Sequence, residues 1–248
     1  MGEQRDLLAR LAASGEVAAG APVVVACSGG RDSLCLLDLA VRVAGAKAVL
    51  AVHVHHGLRG TAADRDAAHA AAAAARLGTA LRAVRLSPPD DLGGSPAVWA
   101  REARWRALRA AADRWDPAAE VLLGHTASDQ AETVLLRAIS SPGTRALAAM
   151  PVRDGERRLR RPLLAIGATR ADAGAWCAAH GLRWRDDGSN PTGPRGRVRA
   201  ALAGLEAVDR RAVAALAATA ARAREDDEAL TAAAAAMVAA DASPGVAA

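Results

Sequence analysis

The chain has 248 residues, of which 52% are hydrophobic and 2% aromatic, and its formal net charge is +5 with a pI near 10.2. This length suffices for one large domain with an appendage, and no apolar run is long enough to cross a membrane. Lys47 is the only lysine, so the basic charge is almost entirely arginine, which mildly favours a polyanionic partner. Cys27 and Cys35 lie in apolar surroundings and are predicted core residues; three cysteines without a signal peptide predict a reducing cytoplasm.

Strands and helices alternate along most of the chain. A short amphipathic helix is predicted over residues 3–19, and the elements that follow are strands at 22–26, 48–54, 81–86 and 120–124 and helices at 32–43, 62–77, 97–115 and 128–139. This alternation predicts right-handed crossovers and a parallel sheet. The later part of the chain is predicted to hold one or two strands within 158–164 and 181–185, a loop at 186–196 and an alanine-rich helix at 201–240.

The first predicted strand runs directly into S-G-G-R-D-S, residues 28–33, before a helix begins. In an open parallel sheet, ligands bind beyond the carboxyl ends of strands. Glycines let the backbone approach a ligand, and the start of a helix offers N–H groups and a positive dipole end to an anion. The loop matches neither common nucleotide fingerprint, and Asp32 in a phosphate cradle would require Mg²⁺ between carboxylate and phosphate. The alternative is a tight structural turn.

S-G-G-R-D-S resembles the signature S-G-G-x-D-S of the PP-loop pyrophosphatases, which use ATP to adenylate a carbonyl and release pyrophosphate. Other segments resemble, in the same order, those of the tRNA(Ile)-lysidine synthetase family: H-V-H-H-G-L-R (53–59), A-R-E-A-R-W (100–105), L-L-G-H-T-A-S-D-Q-A-E-T (122–133), R-P-L-L (161–164), and D-D-G-S-N (186–190) with R-G-R-V-R (195–199). The resemblance covers roughly residues 20–202.

This resemblance implies an α/β fold, namely a parallel-sheet domain of the adenine nucleotide alpha-hydrolase-like type followed by a C-terminal helix. The implied organisation is an N-terminal helix at 1–19, a PP-loop ATP-binding catalytic domain at 20–202, an alanine-rich helical linker at 203–240 and a tail at 241–248.

The resemblance also implies a cytoplasmic ligase with no membrane partner, and it leaves a homodimer open. It would join free L-lysine to carbon 2 of the wobble cytidine of a CAU-anticodon tRNA(Ile), after ATP has adenylated that cytidine. The ATP-binding residues implied are Ser28, Gly29, Gly30, Arg31, Asp32, Ser33 and His53, with Mg²⁺ at Asp32. Catalytic roles are implied for Asp32, Arg104, Asp129 and Glu132, and RNA contacts for Arg101, Arg195 and Arg199.

Each of these positions also fits a plain structural role. Asp129 and Glu132, three residues apart at a helix start, would complement the helix dipole. The arginines at 101, 104, 195, 197 and 199 are typical of solvated surfaces, and the histidines at 53, 55 and 56 lack a helical pair at metal spacing. Only the joint order of the segments favours the functional interpretation.

The chain departs from the family pattern at several positions. Ser128 replaces an expected Asp, Thr126 replaces a second His, and Gly196 replaces an Asn. Residues 139–143 replace an R-G-S-G segment, and the chain stops near the linker helix, so we expect the C-terminal tRNA-binding domains of longer members to be absent. These departures leave two alternatives: a PP-loop pyrophosphatase with another acceptor, or a non-catalytic nucleotide- or RNA-binding remnant. The lack of C-x-x-C argues against RNA thiolation.

Overall fold

The computed structural model describes residues 7–55, 61–87, 89, 91, 95–141, 143–185 and 193–241. Two family-like segments extend outside these ranges, at residues 56–59, which include His56, and at residues 186–190. Most of the predicted tail at 241–248 also lies outside them. The chain divides into two compact units, of which the first is Met1–Thr126 with Val152–Ser189 and the second is Ala127–Pro151 with Asn190–Ala248.

A six-stranded sheet forms the core of the first unit, counted over the described residues. Its strands are β1 Val23–Ala26, β2 Val49–His55, β3 Ala80–Arg85, β4 Glu120–Leu122, β5 Arg153–Asp154 and β6 Leu159–Arg160. Their order across the sheet is β3-β2-β1-β4-β6-β5, and every pair is parallel except β5 with β6. The predicted α/β fold with a mostly parallel sheet is therefore confirmed.

Ten α-helices lie in the described ranges. Those of the first unit are α1 Leu7–Ser14, α2 Arg31–Ala44, α3 Thr61–Arg76, α4 Pro96–Trp115, α7 Pro162–Ala165 and α8 Arg170–Ala179. Those of the second unit are α5 Ala127–Ser140, α6 Thr144–Leu147, α9 Pro194–Val208 and α10 Ala212–Asp241. Across this described part of the chain, none of the helices combines the length and the apolar character that a membrane span needs.

The central strand β1 is buried on both faces, which explains its unbroken run of valines. Val23 and Val25 pack into a cluster with Leu34 of α2, whereas Val24 packs on the other face with Leu108 of α4. Because successive side chains of a strand point to opposite faces, one strand holds both helix layers in place. The predicted burial of Cys27 and Cys35 is also confirmed, since both are 1% exposed or less.

The predicted late strands are partly wrong. Within 158–164 only Leu159–Arg160 is a strand, because Pro162 has no N–H for a sheet ladder and instead begins α7. The segment 181–185 forms no strand; its Leu182 is buried and its end contacts the glycine loop. The short edge strand β5 was not predicted.

The predicted long helix at 201–240 is two helices. Helix α9 already begins at Pro194, inside the predicted 186–196 loop, and Asp209 ends it with extended backbone angles of −143° and 116°. The Asp209 carboxylate accepts a hydrogen bond of 2.8 Å from the backbone N–H of Arg211, just before α10 begins. A short Asp side chain that bonds to nearby backbone favours such a break over a continuous helix.

Candidate functional site

The glycine loop lies at the carboxyl end of β1, as predicted. Gly29 has a φ of +84°, a conformation that favours glycine, and Gly30 is the N-cap of α2. The Ser28 hydroxyl accepts from the Gly30 N–H at 3.3 Å and bonds to the Ser33 hydroxyl at 3.1 Å, while Ser33 donates to the Gly30 carbonyl at 2.8 Å. Both serine side chains therefore hold the loop in its curved shape, a role that was not predicted for them.

The start of α2 has no cap from its own N-cap residue. Gly30 holds that position and makes no side-chain hydrogen bond to the first turn. Uncapped backbone N–H groups at a helix start, together with the helix dipole, favour an anion such as phosphate. Asp32 lies in this first turn, and its carboxylate accepts a hydrogen bond of 3.1 Å from Nε of Arg31. The Arg31 side chain is 25% exposed and that of Asp32 is 23% exposed.

Gly124, just past β4, is in close contact with the same helix start. A Cβ atom at this position would lie 2.9 Å from the carbonyl oxygen of Asp32 and 3.1 Å from the backbone nitrogen of Ser33. Only glycine therefore lets the end of β4 approach the loop this closely. Gly124 lies in the family-like segment 122–133, but no role was predicted for it.

The neighbouring residue His125 has a fixed hydrogen-bond partner. Its Nδ1 accepts a hydrogen bond of 3.0 Å from Nε of Arg161, a side chain that is only 7% exposed. Arg161 directly follows β6, the strand beside β4, so two adjacent strands deliver these side chains to one edge of the sheet. Sequence reasoning missed this pair, although both residues belong to segments that matched the family pattern.

His53, predicted to form an adenine wall, lies near the end of β2 and is 5% exposed. Its Nδ1 lies 2.9 Å from the carbonyl oxygen of Cys27; because a carbonyl only accepts, Nδ1 carries the proton. Burial is the main cause that lowers the pKa of His53, and the nearby His55 and Arg104 lower it further. The hydrogen bond to Cys27 and the charge of Asp66 act in the opposite direction. His53 is therefore neutral and joins the end of β2 to the strand that carries the glycine loop.

Helix α3 and Arg185 cover the glycine loop from a side that the sequence did not indicate. A Cβ atom on Gly29 would lie 3.3 Å from Cδ2 of His69 and 3.6 Å from the Asp66 carbonyl. The backbone N–H of Arg185 donates to the Gly29 carbonyl at 3.1 Å, and its Nε donates to the Asp66 carboxylate at 2.7 Å. An alanine-rich helix gives no sequence signal for such a contact.

The two arginines of the A-R-E-A-R-W segment differ in environment. Arg104 on α4 is half-buried, whereas Arg101 is exposed. Burial lowers the pKa of Arg104, and the nearby charge of Arg101 lowers it further. The charge of Arg104 also lowers the pKa of His53, after burial as the largest cause, so the structure brings these two predicted residues within electrostatic range of each other.

The remaining predicted residues belong to the second unit. Glu132 on α5 is 4% exposed, and its Oε1 accepts a hydrogen bond of 3.0 Å from Nε of Arg199 on α9. A residue predicted to be catalytic and one predicted to contact RNA thus form an ion pair between two helices. Asp129 is half-buried in the first turn of α5, Ser128 is buried, and Arg195 is exposed on α9.

The parallel sheet and the glycine loop at the start of α2 together define an α/β protein of the nucleotide-binding type. The sequence model of a protein family, the PP-loop domain, matches residues 4–205. The chain therefore belongs to this family.

The chain is similar to curated proteins named tRNA(Ile)-lysidine synthase. The protein of that name from Xanthomonas campestris pv. campestris (strain 8004) is 46% identical over 176 residues, which is 68% of this chain and 39% of that protein. The one from Salinispora arenicola (strain CNS-205) is 45% identical over 190 residues, which is 72% of this chain and 54% of that protein. The chain thus spans between two fifths and about half of the length of these relatives.

Solved structures share the fold at low sequence identity. The U34-tRNA thiolase NcsA from Methanococcus maripaludis superposes with a TM-score of 0.71 at 15% identity, covering 88% of this chain and 77% of that one. An NH3-dependent NAD synthetase from Campylobacter jejuni gives a TM-score of 0.53 at 15% identity, covering 92% of this chain and 96% of that one. At this identity the likeness describes the fold alone.

Proposed function

We propose that this chain carries the ATP-using step of a tRNA(Ile)-lysidine synthase. The observation that carries the proposal is the glycine loop, curved by Ser28 and Ser33, at a helix start beyond β1 whose N-cap residue is Gly30. The likeness to proteins of that name supports tRNA(Ile) as the acceptor, and we propose its CAU-anticodon form. ATP would transfer its adenylyl group to O2 of the wobble cytidine with release of pyrophosphate. The ε-amine of free lysine would then attack carbon 2, expelling AMP and losing a proton.

The loop residues would act mainly on the phosphates. Backbone N–H groups at the start of α2 and the Arg31 guanidinium would stabilise the negative charge that develops on the α-phosphate and pyrophosphate. Gly29 and Gly30 would allow the phosphates to approach the backbone. His53 and the half-buried Arg104 would line the nucleotide site on the side of β2. The neutral imidazole of His53 would present a flat, weakly polar surface there.

Asp32 fits a Mg²⁺ ion that is shared with ATP. Its carboxylate is partly exposed at the head of α2, and the described part of the chain holds no cluster of three or more acidic, His or Cys residues that could bind a metal alone. Mg²⁺ commonly keeps several waters and is bound by one or two carboxylates plus substrate phosphates. Bound there, the ion would neutralise phosphate charge.

Roles in the second half-reaction fall to the second unit. Asp129, half-buried in the first turn of α5, would attract the lysine ammonium or accept its proton. Glu132 would act chiefly as the partner of Arg199, since that ion pair occupies one of its oxygens. Arg195 on α9 and Arg101 on α4 are exposed and would contact RNA phosphates.

The test measures pyrophosphate release from ATP with Mg²⁺ and a CAU-anticodon tRNA transcript, with and without L-lysine. We expect release that needs the transcript, and lysine attached to the RNA only when all components are present. The matched control is the same transcript with its wobble cytidine replaced by uridine, which should give neither product. Asp129→Asn should still release pyrophosphate but attach less lysine. Release that is equal with both transcripts would exclude this acceptor and favour another one.

A further inference from the structure

The contact between Arg161 and His125 determines where the His125 proton lies. A guanidinium group can only donate hydrogen bonds, so the Nδ1 atom that receives the bond from Arg161 Nε at 3.0 Å must present a lone pair. A neutral imidazole carries one ring proton, and it must therefore be on Nε2. Proton gain at Nδ1 would remove this bond and set two positive charges against each other.

The contact is built into the fold. Arg161 is 7% exposed, and its backbone N–H donates to the Val152 carbonyl at 2.8 Å, directly after β6. Its carbonyl accepts a hydrogen bond of 3.0 Å from the Ala165 N–H in the first turn of α7. Both backbone groups of Arg161 are thus fixed, so its side chain reaches His125 from a rigid base.

His125 also lies at the edge of the sheet where the glycine loop lies. It directly follows Gly124, whose position allows no Cβ because the backbone of Asp32 and Ser33 would be only 2.9 to 3.1 Å away. A group that donates a hydrogen bond at this edge suits phosphoryl oxygens, which only accept. A general base needs a ring nitrogen with a lone pair, and the lone pair of this form lies on Nδ1, which Arg161 engages.

We propose that Arg161 is a positioning residue that holds His125 in the neutral Nε2–H form, so that His125 serves the nucleotide site as a hydrogen-bond donor to phosphoryl oxygen and not as a base. The nucleotide part of this inference rests on the proposed function, whereas the position of the proton does not. His53 provides an internal contrast, because its Nδ1 faces a carbonyl and must carry the proton.

The first test is proton–nitrogen NMR of the isotope-labelled chain, in which bare and protonated ring nitrogens differ widely in chemical shift. We expect a bare Nδ1 and a protonated Nε2 for His125, and the reverse for His53, with signals assigned through His125→Gln and His53→Gln. Arg161→Met should remove the preference at His125 and leave His53 unchanged. A protonated Nδ1 at His125 in the wild type, or a preference that survives in Arg161→Met, would overturn the proposal. The wild-type spectrum decides the first point even if the variant fails to fold.

The second test is equilibrium binding of a non-hydrolysable ATP analogue. His125→Gln places an amide N–H near the position of Nε2 and should retain most of the affinity. His125→Ala, and His125→Asn with its amide near Nδ1, should weaken binding about ten- to a hundredfold, as expected for losing a hydrogen bond to a charged acceptor. Affinity unchanged in His125→Ala would overturn the donor role alone. A wild-type chain that binds no nucleotide would instead overturn the proposed function.

Discussion

Nε of Arg199 donates a hydrogen bond of 3.0 Å to Oε1 of Glu132, joining α9 to α5 in the second unit. The Glu132 side chain is 5% exposed and that of Arg199 is 45% exposed, so a buried carboxylate has a partly solvated partner. The family resemblance implied catalysis for Glu132 and RNA binding for Arg199. Their contact indicates that each must first be tested for a role in stability.

We expect Arg199→Ala to destabilise the chain by about 1–3 kcal/mol. Breaking a fully buried pair costs about 3–5 kcal/mol, and the solvent exposure of Arg199 reduces that figure. Urea unfolding followed by circular dichroism measures the change. Arg195→Ala is the matched control, since Arg195 is exposed on the same helix and should change stability by less than about 0.5 kcal/mol. Equal stability of the two variants would contradict a structural role for the pair.

Gly124→Ala should destabilise the first unit by about 1–3 kcal/mol, the usual cost of forcing an extra methyl into a packed site. The new Cβ would lie 2.9 Å from the Asp32 carbonyl oxygen, which is backbone and cannot move cheaply. We also expect weaker nucleotide binding, because the displaced groups belong to the start of α2.

Gly204→Ala is the control for that substitution. A Cβ at Gly204 meets nothing within 4 Å, and the residue lies within α9. Alanine there should stabilise the chain by roughly 0.5–1 kcal/mol through its helix propensity. The two substitutions should therefore shift the thermal midpoint in opposite directions. A thermal midpoint that is unchanged or raised in Gly124→Ala would show that the approach of β4 to α2 does not need glycine.

The sequence predicted the parallel sheet well, because buried central strands such as Val23–Ala26 have a local signature, a short run of β-branched residues between turns. It could not predict β5, a two-residue edge strand defined only by its pairing with β6. The glycine loop was found because its chemistry lies in six consecutive residues. The contacts of Arg185 with Gly29 and of Arg199 with Glu132 join residues far apart in the chain, and no local pattern indicates them.

Cys27 should resist alkylation in the native state. Burial is the main cause that raises the pKa of Cys27 to about 11, opposed by hydrogen bonds from Gly29 and Ser33. At pH 8 about one thiol in a thousand is then ionised, against roughly a tenth of a cysteine at its ordinary pKa of 9.0. Iodoacetamide labelling followed by peptide mass spectrometry should modify Cys27 only after denaturant is added.

The same shift predicts a loss of stability at high pH. The folded chain binds the Cys27 proton more tightly than the unfolded chain, so the unfolded state releases it first as the pH rises. The stabilisation is complete below the unfolded pKa, near 9, and is lost as the pH rises towards about 11. Urea midpoints at pH 8 and pH 10.5 should fall less in Cys27→Ala than in the wild type. An identical fall in both would contradict the raised pKa.

Asp32→Asn should abolish Mg²⁺-dependent ATP turnover while leaving the fold intact. The substitution keeps the size of the side chain and its place in the first turn of α2, but it removes the negative charge that a cation needs. Glu156→Gln, an exposed carboxylate elsewhere in the first unit, is the control and should keep normal turnover. Turnover of Asp32→Asn at the wild-type rate over a range of Mg²⁺ concentrations would exclude the metal role.

RNA binding by this chain should be weak, electrostatic and only modestly dependent on salt. Each phosphate contact contributes roughly 0.7 to 0.9 to the slope of log affinity against log salt concentration. Because Arg199 is engaged with Glu132, the exposed residues Arg101, Arg195 and Arg197 are the ones expected to act, giving a slope on the order of two to three.

The double variant Arg195→Ala with Arg197→Ala should lower this slope by roughly 1.5 and weaken CAU and non-CAU tRNAs equally, because phosphate contacts position RNA and do not read its sequence. Titrations of both tRNAs at two salt concentrations measure slope and selectivity together. Arg157→Ala is the control, since Arg157 is paired with Asp154 at 3.3 Å and has no predicted RNA role. If the double variant binds as tightly as the wild type, the start of α9 is a solvated surface with no role in RNA binding. If affinity is lost for the CAU tRNA alone, these arginines read the RNA sequence.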